Sequence, residues 1–326
     1  MQAPGFWWRK SGAAAALMSP LAALYGFFAK RRLAQSGVHI GVPVICVGNP
    51  TVGGAGKTPT AIAVARFLIS AGERPAFLTR GFGGRLAGPV LVETSHGADD
   101  VGDEPLLLAR VAPTIVSRDR VVGARCAIAA GASVIVMDDG FQNPSLAKDL
   151  SILVIDGTRG VGNGNTIPAG PLRAPLAPQL ERAQAILIVG DGAGAVPATR
   201  LPTFHARLEP DRATLASLEG RRVLAFAGIG DPQKFFATLA AAGINAQIQR
   251  GFADHHRYRA TEAAALLAEA ERRDLALVTT EKDLARLQGD PALAALAARV
   301  HALPVELIVR EQDDFRRLVR RAIQRA

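Results

Sequence analysis

The chain has 326 residues, of which 49% are hydrophobic, 21% charged and 5% aromatic, and its formal net charge is +9. This composition excludes a disordered chain, a collagen-like repeat and a membrane transporter with many helices. The length predicts one large domain or two of moderate size. The two cysteines, Cys46 and Cys126, are too few for a disulfide framework and indicate a reducing compartment.

The excess positive charge lies at the two ends of the chain. Residues 1–72 contain seven basic residues and no acidic one, and residues 310–326 contain six arginines and three acids. Residues 73–309 are balanced, with 25 basic and 26 acidic residues. A nucleic-acid ATPase is therefore disfavoured, because the central part is neutral and offers few aromatic rings for stacking on bases.

The first predicted element is an apolar helix over Ser11–Ala29, a stretch of 19 residues without a charge. Such a helix is about 28 Å long, close to the thickness of the hydrocarbon layer of a bilayer. Arg9 and Lys10 precede it, residues 30–32 are all basic, and aromatic residues lie near both ends. Flanking cations and aromatic rings are typical of segments that meet lipid headgroups.

Three interpretations of this helix remain open. A cleaved signal peptide is disfavoured, because Lys-Arg-Arg follows where a small-residue cleavage site is expected. A soluble helix packed on the core is the second interpretation. We favour the third, a membrane-associated helix that either spans the bilayer or lies in its interface.

After residue 37, short β-branched runs alternate with helical patterns. Several of the runs are apolar throughout, as expected for strands buried on both faces of a parallel sheet. This alternation predicts an α/β, doubly wound, mostly parallel sheet. A stretch rich in Gly, Ala and Pro over 190–202 indicates a boundary near residues 200–220, followed by a second, smaller α/β subdomain. The predicted strands are Val42–Val47, Ala76–Arg80, Val134–Met137, Ile152–Ile155, Ile186–Val189, Val223–Ala227, Leu275–Thr279 and Val305–Val309, and the predicted helices include Thr58–Ser70, Arg118–Ala130, Thr261–Arg272 and Asp314–Gln324.

The first strand of the sheet leads into a glycine-rich loop that ends in Lys57-Thr58 and a helix. Such a loop points backbone N–H groups at phosphate oxygens, while the lysine reaches the β- and γ-phosphates and the threonine hydroxyl binds Mg²⁺. The loop has Thr51 where the common pattern of P-loop NTPases has its first glycine. We assign nucleotide binding to Thr51, Val52, Gly53, Gly54, Ala55, Gly56, Lys57 and Thr58.

A second strand ends in two adjacent carboxylates, Asp138 and Asp139, followed by glycine. Acids at the carboxyl end of a buried strand beside a phosphate loop are suited to hold Mg²⁺, directly or through water. We therefore assign Thr58, Asp138 and Asp139 as metal ligands. Together with the loop they predict ATP or another nucleoside triphosphate with Mg²⁺ in a P-loop NTPase-type fold, and they leave the acceptor of the phosphoryl group open.

The sequence also contains motifs that a general nucleoside triphosphatase does not need. With these motifs it closely resembles the tetraacyldisaccharide 4′-kinases, also called lipid A 4′-kinases. The resemblance covers nearly the whole chain, and Thr51 in the phosphate loop is itself part of the family pattern. The motifs that carry it are Thr51–Pro59, Arg80–Arg85, Gly102–Pro105, Asp138–Gln142, Gly170–Arg173, Asp254-His255-His256 and Thr280–Asp283.

The resemblance implies transfer of the γ-phosphoryl of ATP to the 4′-hydroxyl of an acylated glucosamine disaccharide 1-phosphate. It implies a lipid-linked substrate at the cytoplasmic face of an inner membrane, and no nucleic acid. Together with the apolar helix and the boundary near residues 200–220, the sequence predicts three parts: residues 1–36 as the membrane-associated helix, 37–210 as the kinase domain and 211–326 as the C-terminal subdomain.

By the same likeness, Asp103 is the base that accepts the proton of the sugar hydroxyl, and His255 is its partner. Each residue has an alternative role, since Asp103 can cap the helix that follows it and His255 can be a structural histidine of a loop. Substrate binding is assigned to Arg80, Glu104, Gln142 and Arg173, and a guanidinium matches phosphate geometry. Two residues depart from the family pattern: Phe82 replaces a hydroxyl-bearing aromatic residue, and Ala174 replaces a glutamate.

An alternative from another class is a regulatory or metallochaperone GTPase. Guanine-binding sites of P-loop GTPases include an Asn/Thr-Lys-x-Asp element, and Thr280-Glu281-Lys282-Asp283 resembles it superficially, directly after a predicted strand. A competition measurement between ATP and GTP separates the two interpretations.

Overall fold

The computed structural model describes residues 3–325, which form thirteen strands and twelve α-helices. The strands are β1 (Val44–Gly48), β2 (Pro75–Thr79), β3 (Val90–Leu91), β4 (Thr114–Val116), β5 (Val134–Asp138), β6 (Leu150–Asp156), β7 (Ala185–Val189), β8 (Thr203–Pro210), β9 (Arg222–Ala227), β10 (Asn245–Gly251), β11 (Ala276–Thr280), β12 (Val300–Leu303) and β13 (Val305–Val309). The helices are α1 (Ala13–Leu33), α2 (Lys57–Ser70), α3 (Ala98–Val101), α4 (Asp103–Ala109), α5 (Arg120–Ala129), α6 (Leu176–Arg182), α7 (Arg212–Leu218), α8 (Pro232–Ala241), α9 (Ala260–Arg273), α10 (Glu281–Leu287), α11 (Ala294–Arg299) and α12 (Gln312–Arg325). Short 3₁₀ turns cover Gly5–Trp8 and Pro291–Leu293.

The strands form two sheets. The large sheet has nine strands in the order β13-β8-β7-β6-β1-β5-β2-β4-β3, and the small sheet has four in the order β10-β9-β11-β12. All neighbours are parallel except β13 beside β8 and β3 beside β4, which are antiparallel and lie at the two edges of the large sheet. The predicted doubly wound, mostly parallel sheet with a smaller α/β part is confirmed.

Alternate residues of the central strand β1 enter two different hydrophobic cores. Ile45 and Val47 pack under α2 and α12, whereas Val44 and Cys46 pack under α5 and the end of α1. A parallel strand covered on both faces has to be apolar at every position. This accounts for the unbroken apolar runs in the sequence.

The last strand and the last helix return to the large sheet. Strand β13 pairs with β8 from Val305 opposite Pro210 to Val309 opposite Ala206, and Phe315 and Val319 of α12 join the core beneath that sheet. The predicted C-terminal part, 211–326, therefore extends beyond the small sheet, because its last strand and last helix belong to the large sheet. The small sheet with its helices, 211–304, is inserted between two adjacent strands of the large one, and we call it the C-terminal lobe.

Helix α1 runs without interruption through Pro20. Proline has no N–H to donate to the carbonyl of Ala16, one turn earlier, and the Ser19 hydroxyl donates to that carbonyl instead (2.8 Å). The helix packs on the body through Ala22 and Gly26, where the Thr166 hydroxyl donates to the Ala22 carbonyl (2.8 Å). A Cβ on Gly26 would lie 3.4 Å from side-chain atoms of both Pro175 and Thr166, so the helix crosses the body closely at this residue.

Candidate active site

Parallel pairing brings the ends of four strands to one edge of the large sheet. Val47 of β1 lies opposite Asp138 of β5, Leu78 of β2 lies opposite Met137 of β5, and Thr79 lies opposite Val116 of β4. The segments that follow these strands carry the phosphate loop, the two aspartates and a group of arginines. Ligands of open α/β sheets bind at this edge.

The phosphate loop joins β1 to α2. Gly53 and Gly56 have φ of 99° and 91°, a left-handed conformation that glycine adopts without steric cost. The Asn49 side chain donates to the Gly53 carbonyl (3.1 Å), and the Lys57 ammonium lies 3.4 Å from the same oxygen. Lys57 and Thr58 are the first two residues of α2, so the helix N-terminus opens onto the loop, as phosphate binding requires.

Asp138 lies fully buried behind the loop. Its Oδ2 accepts a hydrogen bond from the Thr58 hydroxyl (2.9 Å), whereas its Oδ1 is buried and has no hydrogen-bond partner within residues 3–325. Burial, together with the negative charges of Glu104 and Asp139, raises the pKa of Asp138 to about 7. A buried carboxylate oxygen without a partner, beside a threonine hydroxyl, fits Mg²⁺. The charge of the ion would compensate both the burial of the carboxylate and the missing hydrogen bond.

Asp139 has the opposite electrostatic environment. Its Oδ1 accepts a hydrogen bond from Arg173 (2.8 Å) and lies 3.9 Å from the Lys57 ammonium. Burial opposes its ionisation, but Lys57 and Arg173 outweigh burial and lower the pKa of Asp139. The structure thus brings together all three predicted metal ligands, with one oxygen of Asp139 bonded to Arg173.

Asp103 begins α4 and is 3% exposed. Its Oδ2 faces His255 Nδ1 (3.2 Å) and accepts from Arg286 Nε (2.7 Å), and its Oδ1 accepts from the Glu104 amide (2.9 Å). Burial disfavours the carboxylate, but the hydrogen bond with His255 and the charges of Arg286 and Lys282 outweigh it. They hold the pKa of Asp103 far below its usual range.

His255 approaches Asp103 from the C-terminal lobe, in the loop after β10. Its backbone is left-handed, with φ of 54°, and its amide donates to the Gly228 carbonyl (3.1 Å). The hydrogen bond with Asp103 raises the pKa of His255 despite its partial burial. The Phe82 ring lies 5.0 Å from the imidazole between centroids. The predicted pair of Asp103 and His255, 152 residues apart in the chain, is therefore in direct contact.

The element that resembles a guanine reader is used internally. The Lys282 ammonium lies 2.6 Å from Glu104 Oε1. Asp283 is fully buried and accepts hydrogen bonds from the Gly228 amide (2.9 Å) and the Tyr258 hydroxyl (2.8 Å). Neither side chain is free to bind a base, so this observation does not support the GTPase alternative. Glu104, predicted to bind substrate, is held by Lys282.

A cleft of about 620 Å³ opens beside this edge of the sheet. Three of the predicted substrate residues besides Glu104 lie in its wall: Arg80 is exposed, Gln142 donates to the Asn49 carbonyl (2.9 Å), and Arg173 donates to the Thr51 carbonyl (3.0 Å). Helix α1 closes the other side. The full lining is Tyr25, Phe28, Ala29, Arg32, Thr79, Arg80, Phe82, Glu104, Arg118, Arg120, Asp139, Gln142, Asn143, Arg173 and Ala174.

Two arginines of this cleft are absent from the sequence prediction. Arg118 and Arg120 follow β4, which pairs with β2, and so reach the same edge as Arg80. Arg120 is 3% exposed, and its Nε has no hydrogen-bond partner in the described part of the chain. Burial lowers its pKa to about 10. The signal available in the sequence was the position of the Arg-Asp-Arg run directly after a β-branched strand.

The C-terminal lobe also contacts the body beside the phosphate loop. Arg159 Nη2 lies 2.7 Å from Asp231 Oδ2, Lys234 Nζ lies 2.5 Å from Asp156 Oδ2, and the Arg159 guanidinium lies 5.1 Å from the centroid of the Trp8 ring. The four charged residues of these contacts are absent from the sequence prediction. We refer to the ion pairs Arg159–Asp231 and Lys234–Asp156 as the latch.

The chain is similar to known proteins over nearly its whole length. A family model described as LpxK, tetraacyldisaccharide-1-P 4′-kinase, matches residues 14–324. The chain is 55% identical to a tetraacyldisaccharide 4′-kinase of Rhodopseudomonas palustris (strain BisB18), over 98% of this chain and 94% of that protein. It is also 55% identical to one of Methylobacterium sp. (strain 4-46), over 93% and 94% of the two chains. The crystal structure of an LpxK from Aquifex aeolicus in complex with ATP aligns with a TM-score of 0.75 and 26% identity, covering 95% of this chain and 99% of that one.

Proposed function

Because the chain belongs to the tetraacyldisaccharide 4′-kinase family, we propose that Asp103 and His255 are its catalytic pair and that the cleft beside them holds the lipid substrate. The reaction is the transfer of the γ-phosphoryl of ATP to the 4′-hydroxyl of tetraacyldisaccharide 1-phosphate, which gives lipid IVA in lipid A biosynthesis. The observation that carries the assignment of residues is the contact between His255 and Asp103, at the edge of the sheet that bears the phosphate loop.

Asp103 is suited to accept the proton of the sugar hydroxyl. Phosphoryl transfer passes through a loose transition state, so positioning of the hydroxyl and removal of its proton are the main tasks of the base. His255 shares Oδ2 of Asp103, and with its raised pKa it places positive charge next to the carboxylate. A loop histidine without catalytic contact would not need to reach a buried carboxylate.

The phosphates of ATP are proposed to lie on the phosphate loop, against the N-terminus of α2 and the Lys57 ammonium. Mg²⁺, when bound by Thr58, Asp138 and Asp139, would neutralise charge on the phosphate oxygens. The chain itself orients these ligands: the Thr58 hydroxyl is held at Asp138 (2.9 Å), and Arg173 fixes Asp139 (2.8 Å).

The cleft fits an anionic, acylated sugar. The exposed side chains of Arg80 and Arg118 can bind the 1-phosphate through charge-assisted hydrogen bonds, and the buried Arg120 adds positive charge to the same wall. Tyr25 and Phe28 of α1 line the opposite wall and offer apolar surface to acyl chains. The substrate would then lie between the reacting groups and the helix that faces the membrane.

We further propose that α1 lies in the membrane interface and does not cross the bilayer. Within residues 3–325, α1 is the one helix long and apolar enough to cross, with a mean hydropathy of 1.3. Its buried residues, Ala15, Ala22, Gly26 and Leu33, form a stripe against the body along nearly its whole length, whereas Leu17 and Leu21 are 83% and 63% exposed. A spanning helix could not keep that stripe on the protein. ATP is cytosolic, so the cytoplasmic face of the inner membrane is the side on which the enzyme can act.

The test of the catalytic assignment is a kinase assay with Mg²⁺-ATP and the tetraacyl disaccharide 1-phosphate. Asp103→Asn keeps the shape of the side chain but removes its ability to take a proton, so we expect kcat to fall by roughly 10² to 10⁴ while ATP binding is retained. Asp99→Asn, at an exposed acid on α3 that lies 3.3 Å from Arg257, is the control and should retain kcat. Equal loss of nucleotide binding in Asp103→Asn would exclude the base role.

A further inference from the structure

A guanidinium of the C-terminal lobe is buried against the proposed base. The side chain of Arg286, on α10, is 6% exposed. Its Nε donates to Asp103 Oδ2 (2.7 Å), and its Nη2 lies 2.6 Å from the same oxygen. No residue of the phosphate loop or of the metal-binding group takes part in this contact.

Arg286 is itself held rigidly within its lobe. Its Nη1 donates to Asp283 Oδ1 (2.8 Å) and to the Gly228 carbonyl (2.7 Å). Asp283 in turn accepts from the Tyr258 hydroxyl (2.8 Å) and from the hydroxyl of Thr280 (2.6 Å). With Nη1 fixed by two acceptors, the planar guanidinium is held so that its Nε donates to Asp103.

The contacts of Asp103 leave one acceptor position open. A carboxylate oxygen accepts about two hydrogen bonds. Oδ2 is used by Arg286 and His255, and Oδ1 accepts one bond from the Glu104 amide. The remaining lone pair of Oδ1 is the one with which Asp103 can receive a proton, and rotation of the carboxylate would break the bonds to the C-terminal lobe.

We propose that Arg286 is a positioning residue for phosphoryl transfer, which acts through Asp103 by fixing the carboxylate and keeping it ionised. The inference rests on the proposed role of Asp103 as base. It extends that role by making the base complete only when the C-terminal lobe is docked, since Arg286 and His255 both come from that lobe. Lysine could supply the charge at this position but not the forked set of donors.

Several other charged groups face Asp103 and have to be considered in any effect of pH. Burial raises the pKa of Asp103, whereas His255, Arg286 and Lys282 lower it. Glu104 on α4 pairs with Lys282, Asp283 on α10 pairs with Arg286, and Asp254 lies 3.9 Å from the other nitrogen of His255. The cations next to Asp103 therefore come from α10 and from the loop of His255, and Arg286 makes the closest contacts.

The experiment compares Arg286→Met and Arg286→Lys with the unmodified enzyme, measuring kcat with Mg²⁺-ATP and the tetraacyl disaccharide 1-phosphate across pH. For Arg286→Met we expect a fall in kcat of roughly ten- to a hundredfold, with KM for ATP nearly unchanged. The acidic limb of the kcat profile should move upward by about 1 to 3 pH units, because protonated Asp103 is no longer disfavoured by the adjacent cation. Arg286→Lys should restore part of kcat and part of the shift.

The control is Arg299→Met, which removes an arginine of the same lobe that pairs with Glu271 (2.9 Å) and does not contact Asp103. It should leave both kcat and the acidic limb in place. A fall in kcat of Arg286→Met without movement of the acidic limb would reduce Arg286 to a structural residue and overturn the inference. If Arg286→Met does not fold, Arg286→Lys decides, because lysine keeps the charge but not the arrangement of donors, and an unchanged kcat in that variant overturns the inference.

The failure of this inference can be separated from failure of the proposed function. If Asp103→Asn retains kcat, the base assignment is wrong and the role of Arg286 falls with it. If Asp103→Asn is inactive while Arg286→Met has the normal kcat and pH profile, Asp103 remains the base and only the role of Arg286 is excluded.

Discussion

Two adjacent carboxylates, Asp138 and Asp139, show how position alone sets the chemistry of a residue. Asp138 is enclosed behind the phosphate loop with an unpartnered oxygen and a raised pKa. Asp139 turns outward, with φ of 53°, and its pKa is lowered by Lys57 and Arg173 although burial opposes this. Asp138 lacks a cationic partner in the described part of the chain, whereas Asp139 lies beside two cations, Lys57 and Arg173.

The Asp103–His255 contact predicts a dependence of stability on pH. The pKa of His255 is raised from 6.5 by its hydrogen bond with Asp103, so its contribution to folding is fully present below pH 6.5 and is lost as pH rises through the raised pKa. The pKa of Asp103 is lowered, so its contribution is lost only in strong acid. We expect His255→Gln to lower the free energy of unfolding by about 1 kcal/mol at about pH 6, and by much less at about pH 9.

The measurement is denaturant unfolding of both proteins at the two pH values. His39→Gln, at an exposed histidine before β1, is the matched control and should show no such dependence. A difference between His255→Gln and the unmodified protein that stays constant with pH would mean that the contact stabilises the fold without a charged imidazole.

At the residue scale, sequence reasoning recovers groups that are contiguous in the chain. The phosphate loop and Asp138-Asp139 lie in single motifs, so both could be predicted from spacing. Arg286 and Arg120 could not, because their roles depend on contacts with residues far away in the chain and arginine is common on surfaces. The pair of Asp103 and His255 was reached through family resemblance, and the structure supplies the distance that sequence spacing does not contain.

Helix α1 shows at the scale of an element how a single helix can serve two environments. The residues that it buries against the protein are mostly small, with Leu33 at its end the exception, whereas large residues along it face outward: Leu17, Leu21 and Leu24 are 83%, 63% and 57% exposed. A soluble helix would place its large apolar residues in the core. This reversal favours a membrane surface as the partner of the outer face.

Charges placed on this outer face should release the enzyme from lipid. Each leucine transferred from water to an apolar layer contributes about 1.5 to 3 kcal/mol, and the flanking cations near anionic lipid add about 1 kcal/mol each. We expect Leu17→Glu combined with Leu21→Glu to weaken binding to vesicles of anionic phospholipid by at least roughly a hundredfold, measured by cosedimentation.

Leu91→Glu, on the edge strand β3, is the control, because Leu91 is also an exposed leucine (45%) and lies outside α1. It should sediment with vesicles as the unmodified protein does. Undiminished sedimentation of the double variant would exclude the outer face of α1 as the membrane contact.

Element prediction from the sequence succeeded for the long buried strands of the large sheet and failed for several short or exposed strands. Strands β1, β2, β5 and β7 are buried, mostly apolar runs of five residues and were predicted, whereas β4, which is buried but only three residues long, was not. Strand β10 lies at the edge of the small sheet, is exposed along most of its length, and contains polar residues such as Gln247 and Gln249. Its position is determined by backbone pairing with β9, and such pairing does not require a hydrophobic pattern in the sequence.

At the scale of the whole molecule, the C-terminal lobe is tethered at both ends. It leaves the large sheet after β8 and returns through β13, and the Asp211 amide donates to the Pro304 carbonyl (2.9 Å) where the two connections lie side by side. Residues 305–326 were predicted to belong to the C-terminal lobe, because a strand followed by an amphipathic helix has the same sequence pattern in either sheet. A double tether permits hinge motion of the lobe but not independent tumbling.

The charge at the C-terminal end also has a structural role at this scale. The guanidinium groups of Arg316 and Arg320 lie 5.7 and 5.4 Å from the centroid of the Phe67 ring, on the far side of the large sheet from α1. Cation–π contacts of this kind fasten α12 to α2. The basic C-terminus is thus partly explained by packing on the body.

The latch is the second contact between the C-terminal lobe and the body, after the contact at Asp103. Its position predicts that docking of the lobe affects the KM for ATP. Asp231 and Lys234 lie at the start of α8, and their partners Arg159 and Asp156 lie beside the phosphate loop. Each pair is partly exposed, so each is expected to contribute at most about 1 kcal/mol. A Cβ on Gly230 would lie 3.7 Å from the Gly54 amide, so the lobe comes directly against the loop that is proposed to hold phosphate.

Asp231→Asn combined with Lys234→Met should therefore open the lobe more often. We expect KM for ATP to rise by roughly two- to tenfold, and kcat to fall as well, because His255 and Arg286 reach Asp103 only when the lobe is docked. Steady-state kinetics give both values, and hydrogen exchange at the amides of 228–231 should become faster.

The control is Glu306→Gln, which breaks an ion pair of similar length with Arg66 (2.9 Å) within the body and should change neither the kinetic values nor the exchange. Unchanged KM and exchange in the double variant would mean that Asp103, Arg286 and Lys282 hold the lobe without the latch, and that the two ion pairs are surface contacts only.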